Sequence, residues 1–216
     1  PGTAFDFLAA EATATETFTY RITNSAGVSA PVTVSINVTG TNDIPKVTGV
    51  FTADPLSEDG EVSSASGQVI VTDADSGQSL VGNAGNYVND FGTLELAANG
   101  SWTFNLANDS AAVQSLGQGD SATAEFGIVT ADGTDGGSIS INIQGVDDAA
   151  LIDGNQSDTI VLALEDTTAA GTLNVSDVDQ GESGMAQALY AAQYGTLEMG
   201  AGGEWTYNFT AFDMIG

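Results

Sequence analysis

Phe91-Gly92-Thr93-Leu94-Glu95-Leu96, followed closely by Asn99-Gly100-Ser101-Trp102-Thr103-Phe104-Asn105, reads as two strands joined by a tight turn. Trp102, Phe104 and Leu106 alternate with Thr103 and Asn105, the period of a half-buried strand. Asn99-Gly100 supplies the turn between them. The stretch returns later in the chain as Tyr194-Gly195-Thr196-Leu197-Glu198-Met199 and Gly202-Gly203-Glu204-Trp205-Thr206-Tyr207-Asn208. Trp102 and Trp205 lie 103 residues apart.

Other pairs keep nearly the same spacing. Glu58-Asp59 returns as Glu165-Asp166, Asp73-Ala74-Asp75-Ser76-Gly77 as Asp177-Val178-Asp179-Gln180-Gly181, and Gly40-Thr41-Asn42-Asp43 as Gly145-Val146-Asp147-Asp148. A period of roughly 105 residues is too long for a solenoid unit and suits a sandwich domain in a string. The reading is therefore the tail of one repeat in 1–43, a whole repeat in 44–148 and the front of a third in 149–216.

Alternation continues outside the opening stretch. Val32, Val34, Ile36 and Val38 alternate with Thr33, Ser35 and Asn37, and Ile139, Ile141 and Ile143 with Ser140 and Asn142. Within the whole repeat, strands are expected near 47–51, 67–71, 93–96, 102–106, 124–129 and 139–143, with one poorly marked segment between 78 and 90. Only 110–116 and 184–193 have a helical look. The fold class that follows is all-β, a tandem array of antiparallel β-sandwiches of immunoglobulin-like architecture without its disulfide. Trp102, Phe104, Phe126, Trp205 and Tyr207 are expected in its cores. The terminal fragments are expected to expose sheet edges, with poor order or head-to-tail pairing between chains.

Charge narrows the function. Among 216 residues there are 29 acidic side chains, two basic ones (Arg21 and Lys46), no His and no Cys, for a net charge of −27. Such a chain repels nucleic acid and anionic lipid and attracts cations. No apolar run is long enough to span a bilayer. Without thiol or imidazole the available metal ligands are hard oxygens, which suit calcium or magnesium.

The acids gather at four places in each repeat. These are the junction (Asn42-Asp43, Asp147-Asp148), the acidic pair (Glu58-Asp59, Glu165-Asp166), the doublet (Asp73 and Asp75, Asp177 and Asp179) and a late turn (Asp132, Asp135). Side chains two apart on an extended chain lie about 6–7 Å from each other. Two charges there repel by about 0.6 kcal/mol in water and about 2.4 kcal/mol at an effective dielectric of 20. Bringing Asp43, Glu58 and Asp59 alongside Asp73 and Asp75 multiplies that cost, and a cation inside the cluster removes it. Asn42 and Gly77 could add oxygens. Asp90, Glu95, Asp109, Asp120, Glu125, Glu198 and Glu204 read as solvated surface. The doublet is not an EF-hand, whose twelfth position would fall on Ala84 or Ala188.

Taken together, Gly40-Thr41-Asn42-Asp43-Ile44-Pro45, the Glu-Asp pair, Asp-x-Asp, Phe/Tyr-Gly-Thr-Leu, Gly-Ser-Trp-Thr-Phe and the closing Ile139-Ser140-Ile141-Asn142-Ile143-Gln144-Gly145-Val146-Asp147-Asp148 resemble the VCBS and RapA-type cadherin-like repeats of large bacterial RTX-type adhesins. The resemblance implies calcium-binding repeats of a secreted or cell-surface protein used in attachment or biofilm formation. It implies that the linker, the acidic pair and the next Asp-x-Asp hold calcium together. The partners it implies are neighbouring repeats, surface polysaccharide or another cell's adhesin. There are departures. Ala149-Ala150 stands where Ile44-Pro45 stood, Thr167 replaces Gly60, and Asn24-Ser25 stands where the next repeat has Asp132-Gly133. The second junction is therefore expected to be less rigid and to bind calcium more weakly. Two other readings remain. One is a calcium-dependent lectin using Tyr87, Tyr190 and Tyr194 near Asn83, Asn86 and Asn89. The other is a two-carboxylate glycosidase built on acids such as Glu58 or Asp73, which the lack of His and the repetition of every acid pair disfavour.

Overall fold

The computed structural model describes residues 3–28, 30–161 and 167–210. Nearly all regular structure is strand. After a short 3-10 turn, Thr3–Phe5, come β1 (Thr13–Tyr20), β2 (Thr23–Asn24), β3 (Gly27–Val28), β4 (Val32–Thr39), β5 (Lys46–Gly49), β6 (Leu56–Ser57), β7 (Ser64–Thr72), β8 (Gly85–Asn89), β9 (Gly92–Leu96) and β10 (Ser101–Leu106). One helical turn, α1 (Ala111–Gln114), precedes β11 (Ser121–Val129), β12 (Asp135–Gln144), β13 (Leu151–Gly154), β14 (Thr168–Ser176), β15 (Ala188–Ala192), β16 (Gly195–Met199) and β17 (Glu204–Phe209). The chain divides into two compact units. The first comprises Pro1–Leu56, Val62–Ala107 and Thr123–Asn142, and the second Ser57–Glu61, Asn108–Ala122 and Ile143–Gly216.

The first unit is built on a five-stranded antiparallel sheet in the order β5-β7-β10-β9-β8. Strands β11 and β12 belong to a second sheet, ordered β11-β12-β6. Their inward residues Ala124, Phe126, Ile128, Ile139 and Ile141 are buried, as are Val69, Leu94, Leu96, Trp102 and Phe104 of the five-stranded sheet. The rings of Phe104 and Phe126 meet at 5.8 Å with a tilt of 52°. Burying a side chain of this size contributes about 1.5–3 kcal/mol. Trp102 faces Gly67 across the β7–β10 ladder, and a Cβ on Gly67 would come within 2.5 Å of the indole ring. That glycine is a seat for the tryptophan, and its counterpart Gly171 faces Trp205 in the same way.

The second unit carries a sheet ordered β13-β14-β17-β16-β15, strand for strand the order of the first unit's sheet. Among the described residues two faces are left without cover. In the second unit Leu173, Leu197, Met199 and Tyr207 are only half-buried, and a cavity of about 500 Å³ lies among Ile152, Leu173, Leu197, Met199 and Trp205. In the first unit the β1–β4 ribbon places Phe18 opposite Val34 and Tyr20 opposite Val32, all exposed.

Between 44 and 148 the strands fall where the alternation places them, and the poorly marked 78–90 segment supplies β8. The two-residue β6 is unannounced by any pattern. The segment 184–193 holds strand β15, not a helix. Its alanines favour a helix locally, but pairing along all of β16 overrides that preference. At 110–116 the helical reading holds as α1, capped by Ser110, whose side chain accepts from the Val113 N–H.

Candidate metal centre

Two loops built to one plan follow β7 and β14. In the first, the Asp73 Oδ1 accepts the Asp75 N–H at 2.8 Å, and the Ser79 hydroxyl oxygen accepts the Asp73 N–H at 3.0 Å. In the second, Asp177 Oδ1 accepts the Asp179 N–H at 3.0 Å, and Ser183 accepts the Asp177 N–H at 3.1 Å. These are Asx-type turns, in which a short carboxylate fixes the backbone two residues on. Gly77 (φ +83°) and Gly181 (φ +90°) make the left-handed step that follows. The Phe7 carbonyl accepts the Ser76 N–H at 3.0 Å and the Ser115 carbonyl accepts the Gln180 N–H at 3.1 Å, tethering each loop at the same position.

Each loop holds a junction residue. Asp75 Oδ2 accepts the Asp43 N–H at 2.9 Å, and Asp179 Oδ2 accepts the Asp148 N–H at 2.8 Å. Asp75 and Asp179 are both only 2% exposed. Their other oxygens, Asp75 Oδ1 and Asp179 Oδ1, are buried with no hydrogen-bond partner, as are Asp73 Oδ2, Gln78 Oε1 and Asp148 Oδ2. A buried, partnerless carboxylate oxygen costs several kcal/mol if the group is ionised and nothing replaces water. Arg21 and Lys46 are the chain's only cationic side chains. A hard divalent cation accepts carboxylate, amide and backbone oxygens together, and this donor set fits it.

The second unit carries the denser cluster. One carboxylate oxygen from each of Asp147, Asp179 and Glu182 lies within 4.8 Å of the others. Glu58, 1% exposed, accepts the Gln114 side-chain amide at 2.9 Å and the Val146 N–H at 3.3 Å. Asp59 and Asn108 are paired, with the Asp59 N–H donating to Asn108 Oδ1 at 3.0 Å and Asn108 Nδ2 donating to Asp59 Oδ1 at 2.6 Å. Desolvation and then neighbouring carboxylates raise the pKa of Glu58, Asp148 and Glu182 above the ordinary range.

In the first unit Asp132 is different. The Thr130 hydroxyl, the Thr134 N–H and hydroxyl and the Asn42 amide all donate to it, holding its carboxyl well below the usual carboxylate range.

A pH dependence follows. A carboxyl whose folded pKa is raised contributes stability that is fully present below its unfolded value and is lost as pH rises through the folded one. In chelator-containing buffer the second unit should therefore resist urea better near pH 5 than near pH 8, starting from the ordinary glutamate value of 4.5. Asp132 has the opposite sign, its stability being lost only as pH falls below the usual carboxylate range. Urea midpoints followed by Trp205 fluorescence check this. A midpoint that climbs steadily from pH 5 to 8 contradicts it.

The structure regroups the acids expected from sequence. In the first unit Asp73, Asp75 and the Asp43 N–H come together, while the Asn42 side chain donates to Asp132 and the Asp43 carbonyl. Glu58 and Asp59 do not join them. They lie in the second unit, with Asp147, Asp148, Asp177 and Asp179. The cause is β6, which runs beside β12 and not in the β5–β7 sheet, so that the Glu58 N–H donates to the Gln144 carbonyl at 2.8 Å. Glu165, Asp166 and the side chain of Asp135 lie outside the described residues. Asp90, Glu95, Asp109, Asp120, Glu125, Glu198 and Glu204 are exposed. Two asparagines of the sugar-site reading, Asn83 and Asn89, act as fasteners, while Asn86 is exposed. Asn83 bonds Gly127 O and Val129 N at 2.9 and 2.8 Å, and Asn89 accepts from Phe91 and Gly92 N–H. Tyr87 is half-buried and donates to the Asn83 carbonyl.

Gln78 and Glu182 escaped the sequence reading. Both sit five residues after the first aspartate, so the pattern Asp-x-Asp-x-Gly-(Gln/Glu)-Ser recurs intact and would have flagged them.

No family model matches the chain, and the search of curated proteins finds no match. Among solved structures, protocadherin gamma B7 extracellular cadherin domains 1–4 is similar over 93% of this chain and 49% of that one, at 14% identity and a TM-score of 0.48. PcdhgB3 EC1-4 gives 92%, 58%, 13% and 0.43 in the same order. Surface layer protein SbsC, domains 4–9, gives 97%, 36%, 11% and 0.31. The chain spans about half the length of the first two. Among the described residues no helix is long and apolar enough to cross a membrane.

Proposed function

We propose that this chain is a calcium-binding extender segment of a large secreted or cell-surface bacterial adhesin, built of VCBS or RapA-type cadherin-like repeats with boundaries at 1–43, 44–148 and 149–216. Calcium fixes the junctions, and the stiffened string presents a binding region that engages surface polysaccharide or another cell's adhesin. It performs no catalysis. The observation that carries this reading is the repeated pair of loops in which Asp75 and Asp179 clasp a junction N–H with one oxygen and keep the other buried and partnerless.

At the first junction Asp43, Asp73, Asp75, Gln78 and Asn42 would hold the ion, and at the second Asp147, Asp148, Asp177, Asp179 and Glu182, with Glu58 and Asp59 beside them. The ion would supply the positive charge that these desolvated oxygens otherwise lack. Calcium fits better than magnesium because it takes 6–8 oxygens in irregular geometry.

Calorimetric titration should show calcium binding at the micromolar to millimolar level, and hydrogen exchange should slow at the Asp43 and Asp148 amides. Small-angle scattering reads the stiffening. Identical scattering and exchange with calcium and with chelator would defeat the proposal.

A further inference from the structure

We infer that the sixth residue of each loop, Gln78 in the first and Glu182 in the second, is a metal ligand that sets the order of filling, with the second junction loading at lower calcium than the first. This rests on the calcium reading above and deepens it. Both residues directly follow the left-handed glycine, Gly77 or Gly181. Gln78 Oε1 is buried without a partner, in the loop that also buries Asp73 Oδ2 and Asp75 Oδ1 unpartnered. At the matching position the Glu182 carboxylate lies within 4.8 Å of Asp147 and Asp179. A Cβ placed on Gly117 would come within 2.9 Å of Glu182 Oε1, so Gly117 leaves room for that carboxylate beside Asp179. Asp179, 2% exposed with Oδ1 partnerless, is the built feature that separates this cluster from ordinary surface acidity.

The two loops are alike in backbone and differ in charge. At matched positions the first junction offers Asn42, Asp43, Asp73, Asp75 and Gln78, and the second Asp147, Asp148, Asp177, Asp179 and Glu182. Two amides in one are carboxylates in the other. Ligand charge count is a main lever on calcium affinity in otherwise similar oxygen sites. The order is therefore opposite to that expected from the missing proline at 149–150.

The test is calcium binding by calorimetry on the full chain, with hydrogen exchange at 73–79 and 177–183 assigning each class of site. Wild type should show two classes, the tighter one protecting 177–183. Glu182→Gln should weaken that class about tenfold or more and leave the other unmoved. Gln78→Glu should tighten the weaker class by a similar factor. Glu198→Gln, on the exposed face of β16, should move neither. Circular dichroism confirms that each variant is folded, and Gln78→Glu removes no contact. If wild type binds no calcium, the functional proposal falls and this inference with it. If wild type binds but neither loop variant shifts its own class, or Glu198→Gln shifts them equally, only this inference is overturned.

Discussion

Saturating calcium should raise the thermal midpoint of the metal-free protein by roughly 5–10 °C for each junction filled. At a free concentration one hundred times the dissociation constant, a ligand that binds only the folded state adds about 2.7 kcal/mol. For a chain of this size one kcal/mol moves the midpoint by about 2–4 °C. The effect is large because the apo state is held back on two counts. Its buried oxygens at Asp73, Asp75, Gln78, Asp148 and Asp179 have no donor, and its net charge of −27 opposes compaction. Screening by sodium relieves the second cost and leaves the first. Differential scanning calorimetry in chelator, in calcium and in sodium chloride of equal ionic strength separates the two. If sodium reproduces the full rise, the stabilisation is general screening and the coordinated-ion account is wrong. Magnesium should fall well short of calcium, since it resists losing its waters.

Trp102→Ala should cost about 3–5 kcal/mol, a large share of the stability of an ordinary domain. The indole is 2% exposed, rests on Gly67, and donates its Nε1 hydrogen to the Val50 carbonyl at 2.9 Å. Removal leaves a cavity that β7 cannot close and a carbonyl without its donor. The repeat supplies an internal comparison. Trp205 makes the same bond to the Asn155 carbonyl at 2.7 Å and sits on Gly171. Its neighbours Leu197, Met199 and Tyr207 are half-buried, where the counterparts Leu94, Leu96 and Phe104 are buried. Trp205→Ala should therefore cost about half as much, because the surrounding face is already partly solvated. Urea unfolding of the two variants measures the difference. Equal losses, or a Trp102→Ala loss under about 1 kcal/mol, would mean that the sandwich core is not organised around the tryptophan.

The regularities legible in the sequence are those set by near neighbours along the chain. Alternation of Ile139, Ile141 and Ile143 with polar residues places one face of β12 inward whatever it packs on. The Asp73 and Asp177 loops are legible for the same reason, since an aspartate bonding two residues ahead before a left-handed glycine is a local device. Their recurrence at a fixed period identifies the repeat and marks which carboxylates to compare. Helical-looking 184–193 misled because an alanine-rich segment states its own preference, while the strand is imposed by β16.

What only the tertiary structure decided is which acids meet. Glu58-Asp59 is close in sequence to Asp73 and Asp75, yet the short β6 runs beside β12 and delivers the pair to the second junction. Sheet assignment of a two-residue strand depends on which distant backbone accepts its hydrogen bonds, and no local pattern records that. The same holds for Gln78 and Glu182, whose importance lies in oxygens left buried without a donor once the loop is tethered to Phe7 or Ser115. Local chemistry thus wrote the strands, the turns and the ligand loops into the sequence. Burial and long-range pairing chose which carboxylates are stripped of water together, and that choice makes the case for a cation.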